Sequence, residues 1–392
     1  MTVGYALTAL LLTAVLVLGA QPLGRSGWRG RLSWLGGLVT AEVPFLPLAL
    51  LALSTGFAIA EGDLSGAGWW VAGPALAAAT AATAVITARS LQARQAVLRT
   101  FDAELGTGAE GRQAWDTAEA RLRQRLRWER ILLAPLPLTV PPTVKRTTDV
   151  SYGPDGRWHR LDVYRHRRRP LAGPVLVHLH GGGFTGGRKS FEARPLLHRL
   201  ARHGWLCVSA DYRRLPLTSY AGVVDDVQRA LNWTRRHAAQ VGADPDLVFV
   251  AGSSAGAHLA LSAALGEPDD AASEPVAGVI GLYGYYGAAA IGGGVPPVAA
   301  AGPVTERSVG GGRAFPVLIA HGSHDTFVSP ANARAAVDRL RRATAGPVAH
   351  VELSGAQHSF DLFHSIRFEI LVNGIEAFAH WVLAMRATDP PS

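Results

Sequence analysis

One serine of the chain stands in a pattern typical of a nucleophile. Residues 252–256 read Gly-Ser-Ser-Ala-Gly, a G-x-S-x-G pattern with Ser254 at its centre. An apolar run, LVFVAG, leads into the pattern, and a helix-like run rich in alanine and leucine follows it. This order predicts a sharp turn between a strand and a helix that lifts the Ser254 hydroxyl above a sheet.

A serine hydroxyl is a poor nucleophile at neutral pH unless a base, and an acid that orients the base, lie beside it. The chain order expected with this turn is serine, then acid, then histidine. Asp325 directly follows a predicted strand, whereas Asp338 falls in a helical pattern typical of a solvated face. Among the later histidines, His358 lies in the loop after the last predicted strand, and His364 is the second choice. We therefore predict Ser254, Asp325 and His358 as the catalytic residues.

A glycine-rich stretch at 180–190, HGGGFTGGRKS, could hold either a phosphate or a transient oxyanion. A P-loop requires glycine directly before its lysine, but Arg188 precedes Lys189 here. The spacing of a dinucleotide-binding loop is satisfied, with Asp211 as its acidic partner, although any glycine-rich run satisfies that spacing. A nucleotide-binding membrane protein is therefore the less favoured alternative.

The candidate nucleophile favours the oxyanion. When Ser254 attacks a carbonyl, the oxygen becomes negative and needs preorganised N–H donors. One donor is expected from Ala255, the residue after the nucleophile, and the others from the glycine loop. Because glycine permits close backbone approach, we predict an oxyanion hole formed by Gly181 and Gly182, with Gly183 shaping the turn or sharing the role.

The elements that position these residues alternate between strand and helix. We predict strands at 147–151, 159–164, 174–179, 205–210, 246–251, 276–282, 316–321 and 348–353. This alternation indicates a mostly parallel sheet covered by helices on both faces. Ligands of such sheets bind at the carboxyl ends of the strands, where the glycine loop, Ser254, Asp325 and His358 all lie.

The first 88 residues have the composition of a membrane region. Uncharged apolar stretches predict spans at about 2–20, 43–60 and 66–88. A signal peptide would have a basic start, which the chain lacks, and a soluble helical domain is the remaining alternative. Arginines at 25, 29, 31, 89, 94 and 99 favour cytoplasmic placement of the catalytic domain. One span fewer would put that domain outside.

Residues 89–146 read as a basic amphipathic connector that ends in a proline-rich linker at 133–142. The connector is either a solvated helix, a helix on the membrane surface or a cap over the following domain. We predict three regions, 1–88, 89–146 and 147–387. The net charge of +8 fits nucleic acid or anionic lipid, and the apolar N-terminal region favours membrane lipids and no nucleic acid. The single cysteine, Cys207, cannot form an internal disulfide and is predicted to be a buried strand residue.

The motifs together resemble the hormone-sensitive-lipase-like esterase family of α/β-hydrolases over about 150–385. They are His180-Gly-Gly-Gly-Phe184, Gly252-Ser-Ser-Ala-Gly256, His321-Gly-Ser-His-Asp325 and Gly355-Ala-Gln-His-Ser-Phe360. The resemblance implies the α/β-hydrolase fold, carboxylic-ester hydrolysis by Ser254, Asp325 and His358, and no metal or organic cofactor. Small-molecule or lipid esters are the expected substrates, and the oligomeric state stays open.

Two departures from the family leave the substrate open. The family usually has an acidic residue before the nucleophile, and this chain has Ser253. The family also usually has a glutamate in the loop that begins at Asp211, and this chain lacks it. The three predicted catalytic residues alone do not exclude an amidase, deacetylase or peptidase on the same fold. A non-catalytic scaffold is a further alternative, and the intact serine, aspartate and histidine set argues against it. The stretch 284–312, rich in glycine, alanine and proline, is either a pocket wall or a surface insertion.

Overall fold

The computed structural model of the protein describes residues 3–25, 27–64, 68–169, 171, 173–265, 275–287 and 315–388. Within these residues the chain forms eleven α-helices, a short 3-10 helix at Phe360–Leu362 and eight strands. The strands are β1 Val144–Ser151, β2 Arg160–His166, β3 Val175–Leu179, β4 Leu206–Ala210, β5 Val248–Ser253, β6 Gly278–Leu282, β7 Val317–Gly322 and β8 Val348–Leu353. Most of the predicted pocket-wall stretch, 288–312, lies outside the described residues.

The eight strands form one sheet in the order β1-β2-β4-β3-β5-β6-β7-β8. The strands β3 to β8 run parallel, whereas β2 lies antiparallel to both β1 and β4. The predicted eight-stranded, mostly parallel sheet is confirmed. In register, Leu179 of β3 lies beside Gly252 of β5, so the glycine loop and the serine turn begin next to each other.

The helices are distributed between the N-terminal region and the two faces of the sheet. They are α1 Val3–Ala20, α2 Gly27–Thr40, α3 Phe45–Ala60, α4 Trp69–Glu104, α5 Gly108–Leu122, α6 Trp128–Leu133, α7 Arg194–Arg202, α8 Tyr220–Gln240, α9 Ala255–Leu265, α10 Pro330–Ala343 and α11 Ile366–Thr388. Side chains of β3 alternate between the two faces: Leu176 joins the core under α11, and Val175 and Val177 join the core under α8 and α9. Both faces are thus covered, as a parallel sheet requires.

The basic stretch after residue 88 belongs to the same core as the sheet. The second half of α4 and the apolar face of α5 pack against α11 and β8. The Trp115 ring meets the Phe101 ring edge-on at 5.5 Å. The indole of Trp381 donates hydrogen bonds to the carbonyls of Leu105 at 3.1 Å and Gly111 at 3.2 Å. Residues 89–122 therefore act as a wall of the catalytic domain, packed on a sheet face.

The N-terminal helices α1, α3 and α4 pack together through Tyr5, Leu16, Leu51 and a row of α4 alanines. By length and composition, α1 and α4 can cross a membrane, and so can α11, although α11 is largely buried under the sheet. The predicted second span, 43–60, corresponds to α3, whose 16 residues are fewer than the about 20 that a span requires. The pair α2 and α3 is apolar enough together, but it bends by 80° between the two helices.

A buried ion pair ties the N-terminal helices to the catalytic domain. Glu42, between α2 and α3, bonds to Arg367 of α11 and accepts a hydrogen bond from the Ser365 hydroxyl at 2.7 Å. Arg367 also donates to the carbonyl of Ala41 at 3.1 Å. Both side chains are buried between the two regions, so Glu42 takes part in a contact inside the protein.

Removing one partner of this pair should destabilise the protein strongly. We expect Arg367→Met to lower the free energy of unfolding by about 3–5 kcal/mol, because it leaves the Glu42 charge buried without its counter-charge. The double variant Glu42→Leu with Arg367→Met should recover most of the loss. Urea titration of the full chain in detergent, followed by tryptophan fluorescence, measures the effect.

The matched control is Arg334→Met, which breaks an exposed pair with Glu352 and should cost less than about 1 kcal/mol. Equal losses for the two single variants would contradict the assignment of the Glu42–Arg367 pair as a structural tie.

Candidate active site

The turn between β5 and α9 has the geometry of a nucleophile turn. Ser254 has a positive φ of 53°, a conformation that costs a non-glycine residue of order 1–3 kcal/mol. A Cβ at Gly252 would lie 2.0 Å from the carbonyl oxygen of Gly256. A Cβ at Gly256 would lie 2.0 Å from the carbonyl oxygen of Leu179. Both glycines are therefore required for β5, α9 and β3 to approach so closely.

The three residues predicted to be catalytic lie in one hydrogen-bonded line. His358 Nε2 lies 3.1 Å from the Ser254 hydroxyl, and its Nδ1 lies 2.7 Å from an Asp325 carboxylate oxygen. All three side chains are buried. The distances match a base that can accept the serine proton while an acid holds its other nitrogen.

The Asp325 carboxylate is held by several donors. Its Oδ1 accepts hydrogen bonds from the amides of Phe327 at 2.9 Å and Val328 at 2.8 Å. Burial raises the pKa of Asp325, but the neighbouring His358 and His321, which also hydrogen-bond to it, outweigh burial and hold the pKa well below its usual range. Asp325 is therefore an anion at neutral pH, suited to orient and stabilise a protonated His358.

The two loops that carry acid and base follow β7 and β8, and Gln357 joins them. Its side-chain oxygen accepts hydrogen bonds from the backbone amides of Thr326 at 2.8 Å and His358 at 3.0 Å. The second-choice histidine, His364, bonds instead to Glu369 at 2.5 Å. The structure therefore brings His358, and not His364, to Ser254.

The glycine loop lies against the nucleophile. A Cβ at Gly181 would lie 2.9 Å from the Ser254 Cβ. Gly182 and Gly183 have φ values of +118° and +60°, which favour glycine. The Gly181 amide, however, donates to the buried carboxyl group of Glu192. The prediction that Gly181 donates to an oxyanion disagrees with this contact, because Glu192 already occupies that N–H.

The remaining predicted donors have no such partner. In the described part of the chain, the amides of Gly182 and Gly183 form no hydrogen bond to another backbone group. Ala255 is the first residue of α9, and the first amides of a helix have no carbonyl of that helix to bond. These three N–H groups can therefore donate hydrogen bonds to an oxygen that becomes negative.

A second buried acidic group, which the sequence patterns did not reveal, lies behind the nucleophile. The Ser253 hydroxyl donates to Asp361 at 2.6 Å, and the Tyr283 hydroxyl donates to the other Asp361 oxygen. Burial raises the pKa of both Asp361 and Glu192, and each hydrogen bond they accept offsets part of this rise. Asp361 thus places a carboxyl group beside Ser253, the position where the family usually has an acidic residue.

One cluster outside this site has the residue types of a metal site. Asp155, His159 and Asp226 place their ligand atoms within 4.8 Å of one another. Asp226, however, accepts hydrogen bonds from the Arg213 guanidinium at 2.6 Å and 2.9 Å. A cation would have to displace that guanidinium, so the cluster fits an ion-pair network between the loop before β2, helix α8 and the loop after β4.

Comparisons with known proteins agree with this architecture. Residues 176–293 match a family model described as an alpha/beta hydrolase fold. The probable carboxylic ester hydrolase LipM of Mycobacterium tuberculosis is 31% identical, covering 97% of this chain and 94% of its own length. Esterase LipQ of the same organism is 33% identical over 59% of this chain and 62% of its own length. The crystal structure of esterase B from Lactobacillus Rhamnosis covers 76% of this chain and 98% of its own, with 19% identity and a TM-score of 0.53, and shows the fold alone.

Proposed function

Because this chain belongs to the hormone-sensitive-lipase-like esterase family of α/β-hydrolases, we propose that it hydrolyses carboxylic esters through Ser254, Asp325 and His358. The observation that carries the proposal is the position of His358, 3.1 Å from the Ser254 hydroxyl and 2.7 Å from Asp325. The similarity to the probable carboxylic ester hydrolase LipM supports the reaction class.

The first half of the reaction transfers the acyl group to the enzyme. The Ser254 oxygen forms a bond to the ester carbonyl carbon while His358 Nε2 takes the serine proton. The carbonyl oxygen becomes an anion and accepts hydrogen bonds from the amides of Gly182, Gly183 and Ala255, each worth roughly 3 kcal/mol of barrier. The ester C–O bond then breaks, and the protonated His358 gives its proton to the leaving alcohol.

The second half releases the acid. His358 takes a proton from water, the water oxygen attacks the acyl carbonyl, and the same amides hold the second oxyanion. The bond to Ser254 breaks, and the serine oxygen recovers a proton from His358. Throughout, Asp325 stays ionised and keeps Nε2 of His358 directed at the serine.

We infer further that the enzyme is anchored in a membrane, with its catalytic domain on the cytoplasmic side. Support for the anchor comes from α1 and α4, which are long and apolar enough to span. The cytoplasmic side requires that the shorter α3 returns the chain across the membrane between them, as the arginines at 25, 29, 31, 89, 94 and 99 indicate. Several leucines and valines of α1 and α4, among them Leu7, Leu11 and Val85, are exposed on the surface of the helix bundle. The Arg89 guanidinium bonds the carbonyl of Ala20, which places the ends of α1 and of the apolar half of α4 at one level.

Fluorophosphonate labelling of the full chain in detergent tests the proposed function. We expect one labelled residue, which peptide mass spectrometry should identify as Ser254, and turnover of p-nitrophenyl esters. A series of ester chain lengths, with a matched anilide, separates esterase from amidase activity. Heat-unfolded protein is the control and should not react, because an unactivated serine is a poor nucleophile. Labelling of another serine, or labelling of the unfolded chain alone, would contradict the assignment.

A further inference from the structure

Helix α2 lies directly on the loops that carry the acid and the base. The Thr326 hydroxyl, next to Asp325, donates to the carbonyl of Gly30 at 3.0 Å. The Trp34 ring packs on Phe327 at 5.5 Å, and Phe327 in turn packs on the His358 ring at 4.9 Å. One face of α2, which carries Gly30 and Trp34, therefore covers the loops of the active site.

The opposite face of α2 is apolar and exposed. Trp28, Leu32, Leu35 and Val39 follow one another at intervals of four, three and four residues, so they form one stripe. Their exposed fractions are 66%, 44%, 62% and 39%. A helix that exposes a continuous apolar stripe while its other face is packed on protein is typical of a surface covered by lipid or by a partner.

The orientation of α2 favours lipid. It bends by 80° from α3, and α3 packs beside the candidate spans α1 and α4. If α3 runs along the membrane normal with these spans, α2 runs nearly in the membrane plane. Thr40 of α2 bonds the carbonyl of Val15 in α1 at 2.9 Å, which places α2 at the end of that span.

The charges beside the stripe agree with an anionic membrane surface. Arg29 and Arg31 lie near the start of α2, and the Arg29 guanidinium lies 5.5 Å from the centre of the Trp28 ring. Arg25, just before α2, instead donates to the carbonyl of Ser323 at 3.2 Å. Tryptophan and arginine side by side are enriched where a helix meets lipid headgroups. Basic residues near an anionic leaflet contribute about 1 kcal/mol each to binding.

We propose that α2 rests in an anionic membrane surface and that the active site below it takes ester lipids directly from that membrane. This inference rests on the proposed function of Ser254 and adds its substrate class. The acyl chain of a bilayer lipid leaves the bilayer beside the α2 stripe, and its ester carbonyl is brought to Ser254 and to the amides of Gly182 and Gly183. Lipids that stay in the bilayer are thereby preferred over esters dissolved in water.

The test compares two esters with the full chain reconstituted in vesicles of phosphatidylcholine and phosphatidylglycerol. Methylumbelliferyl palmitate is incorporated in the vesicles, and methylumbelliferyl acetate is supplied in water. We expect the double variant Leu32→Gln with Leu35→Gln to lose about tenfold or more in palmitate turnover, because two apolar side chains no longer favour lipid. Acetate turnover and fluorophosphonate labelling should stay at the wild-type level.

The matched control is Val241→Gln. Val241 is also exposed, but it lies after α8 at the amino-terminal edge of the sheet, away from Ser254. An equal fall in both esters for the α2 variant, no fall in palmitate turnover, or the same fall in the control would overturn the lipid-entry inference. A wild type that hydrolyses neither ester and takes no label would instead overturn the proposed function.

A spin label measures the position of α2 independently of activity. The only cysteine of the chain, Cys207, is fully buried, so Leu35→Cys offers one accessible thiol. In the same vesicles, the label at 35 should be shielded from a water-soluble paramagnetic reagent and accessible to oxygen, whereas Val241→Cys should show the reverse. Equal access of the aqueous reagent to both labels would overturn the placement of α2 in the membrane surface.

Discussion

Replacing Ser254 with alanine is expected to lower kcat for a soluble ester by about a millionfold. The variant removes the oxygen that attacks the carbonyl, and the oxyanion amides alone leave only a small residual rate above water. The fold should persist, because alanine removes one oxygen from the turn between β5 and α9. The measurement is kcat and KM for p-nitrophenyl acetate with the full chain in detergent, together with loss of fluorophosphonate labelling.

A neighbouring serine provides the control for this variant. Ser262 lies on the same helix, α9, and bonds the Tyr220 hydroxyl at 3.0 Å, so Ser262→Ala also removes one hydroxyl from α9. It should keep labelling and turnover close to wild type. Substantial ester turnover by Ser254→Ala would show that another group is the nucleophile.

Replacing Asp325 with asparagine should lower kcat by about ten-thousandfold with little change in KM. An amide of the same shape fills the space, but it cannot stabilise a protonated His358 and favours the wrong imidazole tautomer. The amides of Phe327 and Val328, which now bond a carboxylate oxygen at 2.9 Å and 2.8 Å, keep an oxygen acceptor. Steady-state kinetics and the rate of fluorophosphonate labelling measure the loss.

Asp338 supplies the matched comparison. It is an exposed aspartate on α10, and Asp338→Asn should leave kcat unchanged. If Asp325→Asn retained wild-type turnover, another carboxyl group would have to orient His358, and Asp361 would be the first to examine.

The three candidate catalytic residues could be placed at one edge of the sheet from the sequence, because each follows a strand whose pattern is strong. β5, β7 and β8 are short strands rich in apolar residues, and the loops after them carry Ser254, Asp325 and His358. Parallel strands bring the ends of these runs to one edge whatever lies between them. Local patterns were therefore sufficient to predict that His358 meets Ser254, 104 residues earlier, and Asp325, 33 residues earlier.

The contacts that sequence patterns did not predict depend on distant pairing. Glu42 meets Arg367 across 325 residues, and Ser253 meets Asp361 across 108, so no local spacing indicates either pair. Helix α2 contains four glycines within 27–40, which lower helix propensity and favoured a loop. Its helical state depends instead on packing against α1, which a local pattern does not include.

The connector, residues 89–146, shows another reason why a contact could not be predicted from the sequence. The apolar spacing in α5 correctly indicated a helix with one apolar face, but an amphipathic pattern does not say what covers that face. In the structure the cover is α11, more than two hundred residues later. A catalytic domain expressed from residue 147 onward would therefore lack one wall of its core.

The length of α4 has a consequence for how the enzyme meets its substrate. Its residues 75–104 contain neither glycine nor proline, so a single stiff rod runs from the N-terminal bundle into the packing against β8. With that bundle in a bilayer, the active site is held at a constant height and samples only the plane of the membrane. Encounter then becomes a two-dimensional search. Its rate follows the number of ester lipids per unit of membrane area, and adding inert lipid at constant ester slows turnover even when the total concentration in the tube is unchanged.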